Sequence, residues 1–139
     1  DYRIAYNSVN LPNVKVFKKQ IRKLKLLLLL AKPNKAQQRD IDFLLTLGEI
    51  FTLVVYGQLI LENAKIYNID DDIVDQIFDC LIRDFSRFAL QLYSKSSTTS
   101  LQRRISSMMI EKPVARKDRF SRVWGTYVYA LKNQYVMNE

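Results

Sequence analysis

Histidine is absent from this chain, and cysteine occurs once, at Cys80. The first absence removes the commonest general base, the usual zinc ligand and any Ser-His triad. The second excludes an intramolecular disulfide and points to a reducing, cytoplasmic setting. Three glycines and three prolines in 139 residues leave little material for hairpin turns, which favours long helices. A signal peptide is also missing, and the first residue is Asp1 rather than Met, as expected of a segment cut from a longer protein or of a processed chain.

What is plentiful is apolar side chain: 48% of residues are hydrophobic, ample for the core of one domain. The net charge of +8 is unevenly spread. Residues 1–39 hold ten Lys and Arg against one Asp, a balance of +9. Residues 40–95 hold four against ten (−6), and 96–139 eight against three (+5). Basic ends around an acidic middle can pair inside the fold, so general nucleic-acid affinity does not follow from the net charge.

The stretch Phe43–Leu61, FLLTLGEIFTLVVYGQLIL, is apolar nearly all round a helix, interrupted by Thr46, Gly48, Glu49, Thr52, Gly57 and Gln58. A helix with no polar face needs surrounding, which predicts that it is the innermost element of a bundle. Its length is close to a membrane span. Glu49, Gln58 and the two threonines oppose insertion, and the amphipathic helices around it supply a protein cover instead.

The other elements follow from period and breakers. Residues 1–13, with Pro12 and no helical period, read as an extended arm; 14–139 read as one helical domain. Residues 14–31 place Phe17, Ile21, Leu24 and Leu28 on one face and Lys15, Lys18, Lys19 and Arg22 opposite. After Lys32-Pro33 a long helix runs from about Ala36 to Asn68. Asp70 or Asp71 caps a third helix to about Tyr93, striped by Val74, Ile77, Phe78, Leu81, Phe85, Phe88 and Leu92. A polar hinge at 95–100 leads to a short helix over Leu101–Ile110. The last helix, Asp118–Met137, is expected to bury Phe120, Val123, Trp124, Tyr127, Leu131 and Tyr135. The predicted fold is all-α: an antiparallel bundle of four long helices and one short one.

Few residues offer chemistry. Glu49, on a greasy helix, is the one weak catalytic candidate, since burial raises a carboxyl pKa towards that of a general base; the alternative is a structural pair with a Lys or Arg. Lys15, Lys18, Lys19 and Arg22 are candidates for phosphate contact, the alternative being a solvated basic face. Arg103 and Arg104, behind Ser96–Ser100 at a helix start, are candidates for an anion site without P-loop glycines. The triple Asp70–Asp72 lacks the glycine and glutamate of a calcium loop, so no metal is expected. Cys80 reads as a small core residue.

Three phrases carry a likeness. DIDFLLTLGEIFTLVVYGQLILENA (40–64), DDDIVDQIFDCLIRDFSRFALQLYSKSST (70–98) and MMIEKPV with RFSRVWGTYVYALKNQYVMNE (108–139) resemble the extreme C-terminal helical region of bacterial acyl-CoA dehydrogenase-like flavoproteins. The arm LPNVKVFKKQI (11–21) fits the same region. The resemblance implies a parent oxidoreductase of fatty acid metabolism that binds FAD, with this segment shaping the cofactor cleft or a subunit contact. It implies homo-oligomerisation, the rest of the flavoprotein as partner and no membrane insertion. No cofactor-binding residue transfers to any position here, and the segment alone is expected to be inactive. The alternative function is a non-enzymatic binding or dimerisation module, with nucleic acid held by the basic first helix as its less favoured form.

Overall fold

The computed structural model describes residues 2–134, and these are all-α. The elements are α1 (Tyr2–Asn7), α2 (Pro12–Leu30), α3 (Ile41–Ile66), α4 (Asp71–Ser94), α5 (Ser100–Ser107) and α6 (Lys117–Val123). From α6 the chain continues as a wider π turn over Trp124–Val128 and a 3-10 turn over Tyr129–Leu131, so the last helical run changes pitch twice.

Local chemistry accounts for the boundaries. Pro12 opens α2, where its missing N–H would have no helical partner. Asp40 caps α3, its carboxylate accepting from the Phe43 N–H at 3.1 Å. Asn68, at φ 51°, ends α3, and the Ile69 N–H reaches back to the Ala64 carbonyl at 2.9 Å. This is a Schellman closure with asparagine in the glycine role. Asp70 then caps α4, accepting from the Asp72 N–H at 2.7 Å. Thr99 and Gln102 cap α5 reciprocally.

The arm is not extended. α1 folds back because Tyr6 is buried and its hydroxyl donates to the Val54 carbonyl at 2.8 Å, an anchor forty-eight residues away that no local pattern announces. Tyr6, Phe17, Phe78 and Phe85 form the aromatic centre, with successive ring centroids 5.4–6.2 Å apart. Asn13 meets Asp75 and Gln20 meets Ile82, so α2 and α4 run parallel, with α3 antiparallel to both.

The innermost helix is α4, not the 43–61 stretch. α4 packs against α2, α3, α5 and α6 and buries Val74, Phe78, Leu81, Ile82, Phe85, Ala89 and Leu92. α3 buries only one side: Phe43, Thr46, Leu47, Ile50, Val54, Gly57 and Leu61. Of the amphipathic helices expected to cover it, the last goes elsewhere. α6 is drawn to α4 by Arg119, which lies between Asp75 and Asp79. α6 and the run after it are correspondingly bare: Phe120, Trp124 and Tyr127 are exposed rather than buried, while Val123 and Leu131 are half-buried. Tyr135 and the expected end at Met137 lie outside the described residues.

Candidate functional site

Exposed side chains on α3 recur at 41, 45, 48, 52, 55, 59, 62 and 66, alternating steps of four and three. That spacing averages about 3.6 residues, the turn of the helix itself, so these positions share one face along its whole length. The stripe reads Ile41, Leu45, Gly48, Thr52, Val55, Leu59, Glu62 and Ile66, with Leu44, Phe51 and Tyr56 beside it. Ile41 is 74% exposed, Leu45 63%, Val55 55% and Ile66 73%. By length and composition α3 could also cross a membrane, and only 28% of its most apolar portion is buried.

Two hollows flank it. One, of about 550 Å³ and open, lies over Ile41, Leu44, Leu45, Gly48, Glu49 and Thr52. A Cβ built on Gly48 would meet nothing within 4 Å, so the glycine leaves a notch in the surface. The other, about 220 Å³, is a groove between α2 and α3 lined by Leu24, Leu28, Phe51, Val54 and Val55.

Glu49 sits on this exposed strip and forms no ion pair among the described residues. Both readings made from its neighbours fail at the same premise, because the carboxylate is neither buried nor paired. The apolar residues around it in sequence belong partly to the surface as well. Cys80 is likewise exposed rather than part of the core, with Arg83 Nη2 3.8 Å from its sulfur.

The cationic candidates divide between two places. Lys15, Lys19 and Arg22 are exposed along α2, and Lys18 donates to Asn7 Oδ1 at 2.7 Å. The folded-back α1 adds a residue the spacing could not supply: Arg3 joins Lys18, Arg22 and Lys25 around a hollow of about 180 Å³ over Tyr6. Arg103 and Arg104 are exposed on α5, whose Gln102 touches Ala31 at the opposite end of α2 from Lys15. The two sets therefore do not form one site. At the α5 start the Thr99 side chain accepts from the Gln102 N–H and Ser97 donates to Asp40, so the hinge is a closed corner.

Sequence reasoning missed the most deeply buried charges. Arg119 is 2% exposed and is held by Asp75 and Asp79, by Gln76 Oε1 at 3.2 Å and by the Val114 carbonyl at 3.3 Å. Asp75 also accepts from the Asn13 N–H at 2.8 Å, and Asn13 Oδ1 accepts from the Val114 N–H at 2.7 Å. The knot ties α2, α4, α6 and the 110–116 segment together, and its members satisfy one another. The available signal was an aspartate pair four apart beside the α4 stripe, in a chain with surplus arginine downstream.

A weaker surface cluster sits next to it. Arg122 donates to Asp72 (Nη2 to Oδ1 2.9 Å) and to Asp118 at 3.2 Å. The Arg122 bonds hold both carboxyls below the ordinary aspartate range and raise the guanidinium in turn. Tyr127 donates to Asp70 at 3.1 Å, which raises the phenol pKa.

Among the described residues no three His, Cys, Asp or Glu side chains converge as a metal centre requires. Asp75 and Asp79 are occupied by Arg119. No family model, curated protein or solved structure matches this chain.

Proposed function

We propose that this chain is a helical assembly module, without a reaction centre of its own, whose uncovered α3 face seats against another protein surface. The observation that carries this is the 26-residue helix with Ile41, Leu45, Val55, Leu59 and Ile66 bared along its solvent side, mounted on a bundle whose interior charges are already matched. Water-exposed area of this kind is costly to leave open and gains about 25 cal/mol per Å² when covered.

The resemblance to the C-terminal helical region of acyl-CoA dehydrogenase-like flavoproteins gives the proposal its specific form. The module would then be part of a cytoplasmic FAD enzyme and would support its cleft or subunit contact. FAD itself has no assigned residues here. Reading upstream sequence of the gene decides this form: a flavin-binding domain ahead of Asp1 supports it, and an unrelated reading frame removes it while leaving the assembly role standing.

The assembly role is tested by thiol labelling in cells. Val55→Cys and Leu29→Cys are each placed in a Cys80→Ser background; both positions are exposed in the isolated fold. Coverage of α3 slows maleimide labelling at 55 by about tenfold or more relative to 29, the ratio that about 1.4 kcal/mol of protection produces. Equal rates at the two positions would overturn the proposal.

A further inference from the structure

The occupant of the α3 face can be argued from the face itself. We propose that α3 pairs with α3 of a second copy of this chain, antiparallel, about a two-fold axis passing between Thr52 and Val55. This rests on the assembly reading above and deepens it.

The first argument is geometry. The exposed positions 41, 45, 48, 52, 55, 59, 62 and 66 lie along one face of a straight helix, and Ile41, Leu45, Val55, Leu59 and Ile66 among them are large and apolar. A second α3 presents a face of the same length and shape.

The second argument is that the stripe matches its own reverse. With the axis between 52 and 55, Thr52 meets Val55 of the second copy, and Ile41 meets Ile66. Gly48 meets Leu59, so the notch that no neighbour fills within one chain receives a side chain from the other. Leu45 meets the stem of Glu62, whose carboxylate already accepts from Gln58 Nε2 at 2.7 Å on its outer side. An isologous contact requires this kind of self-matching, and a surface shaped for an unrelated partner does not.

The third argument is charge. Along the margins Glu49 falls beside Tyr56 of the second copy, a phenol able to donate to it. Asp42 falls beside Asn63, and Lys65 beside Leu44. No like charges meet at any position. Against a phospholipid surface the same Glu49 and Glu62 would face anionic headgroups or hydrocarbon, both unfavourable.

Size sets the expected strength. α3 is about 39 Å long at 1.5 Å per residue and about 10–12 Å across with side chains. The pair therefore buries about 1,000 Å² in total once the flanks are included, at the lower end for specific interfaces, and the expected dissociation constant is micromolar.

Sedimentation velocity on the 139-residue chain from about 1 to about 100 μM tests this, a range bracketing a micromolar constant. The expected result is a dimer fraction that rises with concentration. Val55→Glu should abolish it while leaving the thermal melt of the monomer unchanged, because Val55 is on the open face. Register is read with a short bis-maleimide in the Cys80→Ser background. Thr52→Cys should link to itself, its two copies being about 4.5 Å apart along the axis; Leu45→Cys, about 25 Å apart, should not. A chain monomeric throughout, or linking at 45 but not at 52, overturns the pairing. So does a monomer that co-sediments with phosphatidylserine vesicles through α3. If position 55 is nonetheless protected in cells, the assembly role survives and only the second copy is lost. If 55 is unprotected there, both fall.

Discussion

α3 and α4 are neighbours of almost equal length, and their compositions invert their positions. α3 is apolar on every side, yet one side meets water. α4 carries nine charged or amide side chains among its 24 residues, yet it is the helix the others surround. The difference lies in partners. Each polar flank of α4 meets a matching group, above all Arg119 on Asp75 and Asp79, so helices can close over it. On α3 the Asp42 pair with Lys95 ties only its first turn to the rest of the chain, and no ion pair of the described residues joins Glu49 or Glu62 to another helix. Centrality is thus earned by complementary polar contacts as well as by greasiness, and surplus greasiness points outwards.

The sharpest way to break that contrast is to truncate one aromatic on each helix. Phe78 of α4 is fully buried among Tyr6, Phe17 and α3, so Phe78→Ala should cost about 3–5 kcal/mol in urea unfolding. Phe51 of α3 is 42% exposed, and Phe51→Ala at monomeric concentration should cost below about 1.5 kcal/mol. Equal losses would mean that α3 is the interior helix after all.

Removing the polar attraction comes next. Arg119→Met leaves two aspartates buried without their cation, and breaking such a pair typically costs about 3–5 kcal/mol. The comparison predicts a local signature too. α6 should detach from α4, which raises acrylamide quenching of Trp124, the only tryptophan, above the level set by its 51% native exposure. A stability loss with unchanged Trp124 quenching by acrylamide would show that Arg119 does not hold α6.

The two glycines of α3 separate its faces at the scale of one methyl. A Cβ on Gly57 would run into the Tyr6 hydroxyl and crowd Phe17 and Phe78 at 3.3 and 3.4 Å. Gly57→Ala should therefore destabilise by about 1–3 kcal/mol despite the helical preference for alanine. Gly48→Ala meets open space and should stabilise the monomer by up to about 1 kcal/mol. The opposite signs are the observable, read from paired thermal melts.

The smallest effect is pH-dependent and lies where α6 meets the α4 start. Asp72 and Asp118 have lowered folded pKa values, so their contribution is full above the ordinary aspartate value of about 3.9 and disappears as pH falls through the lowered ones. The phenol of Tyr127 is raised, so its bond to Asp70 is full below about pH 10 and is lost at higher pH. These groups are solvent-exposed and screened, so the amplitude is small. Trp124 fluorescence should be flat between those limits, and Arg122→Gln should erase the acid step. An acid step that persists in Arg122→Gln would assign it to other carboxylates.

Much of this molecule was legible from local rules. Asp70 and the Asn68 turn, the Phe78–Phe85 stripe and the break at Pro33 all act within a few residues, so composition and period locate them. The fold of the arm was not, because α1 depends on one bond from Tyr6 to Val54. Nor was the exposed face of α3, since a helix apolar nearly all round carries no mark saying which side its own chain will cover. Glu49 shows the cost of that ambiguity: surrounded by apolar letters, it lies in water.

The sequence by itself determined an all-α chain, the places where its helices start and stop, and a shortage of groups for acid–base or metal chemistry. These are consequences of residue type and short-range spacing. Only the tertiary structure decided which helix is interior, where Arg119 is buried and which stripe of α3 is left bare. Those outcomes turn on pairings between residues tens of positions apart, whose strength depends on geometry that no local pattern encodes.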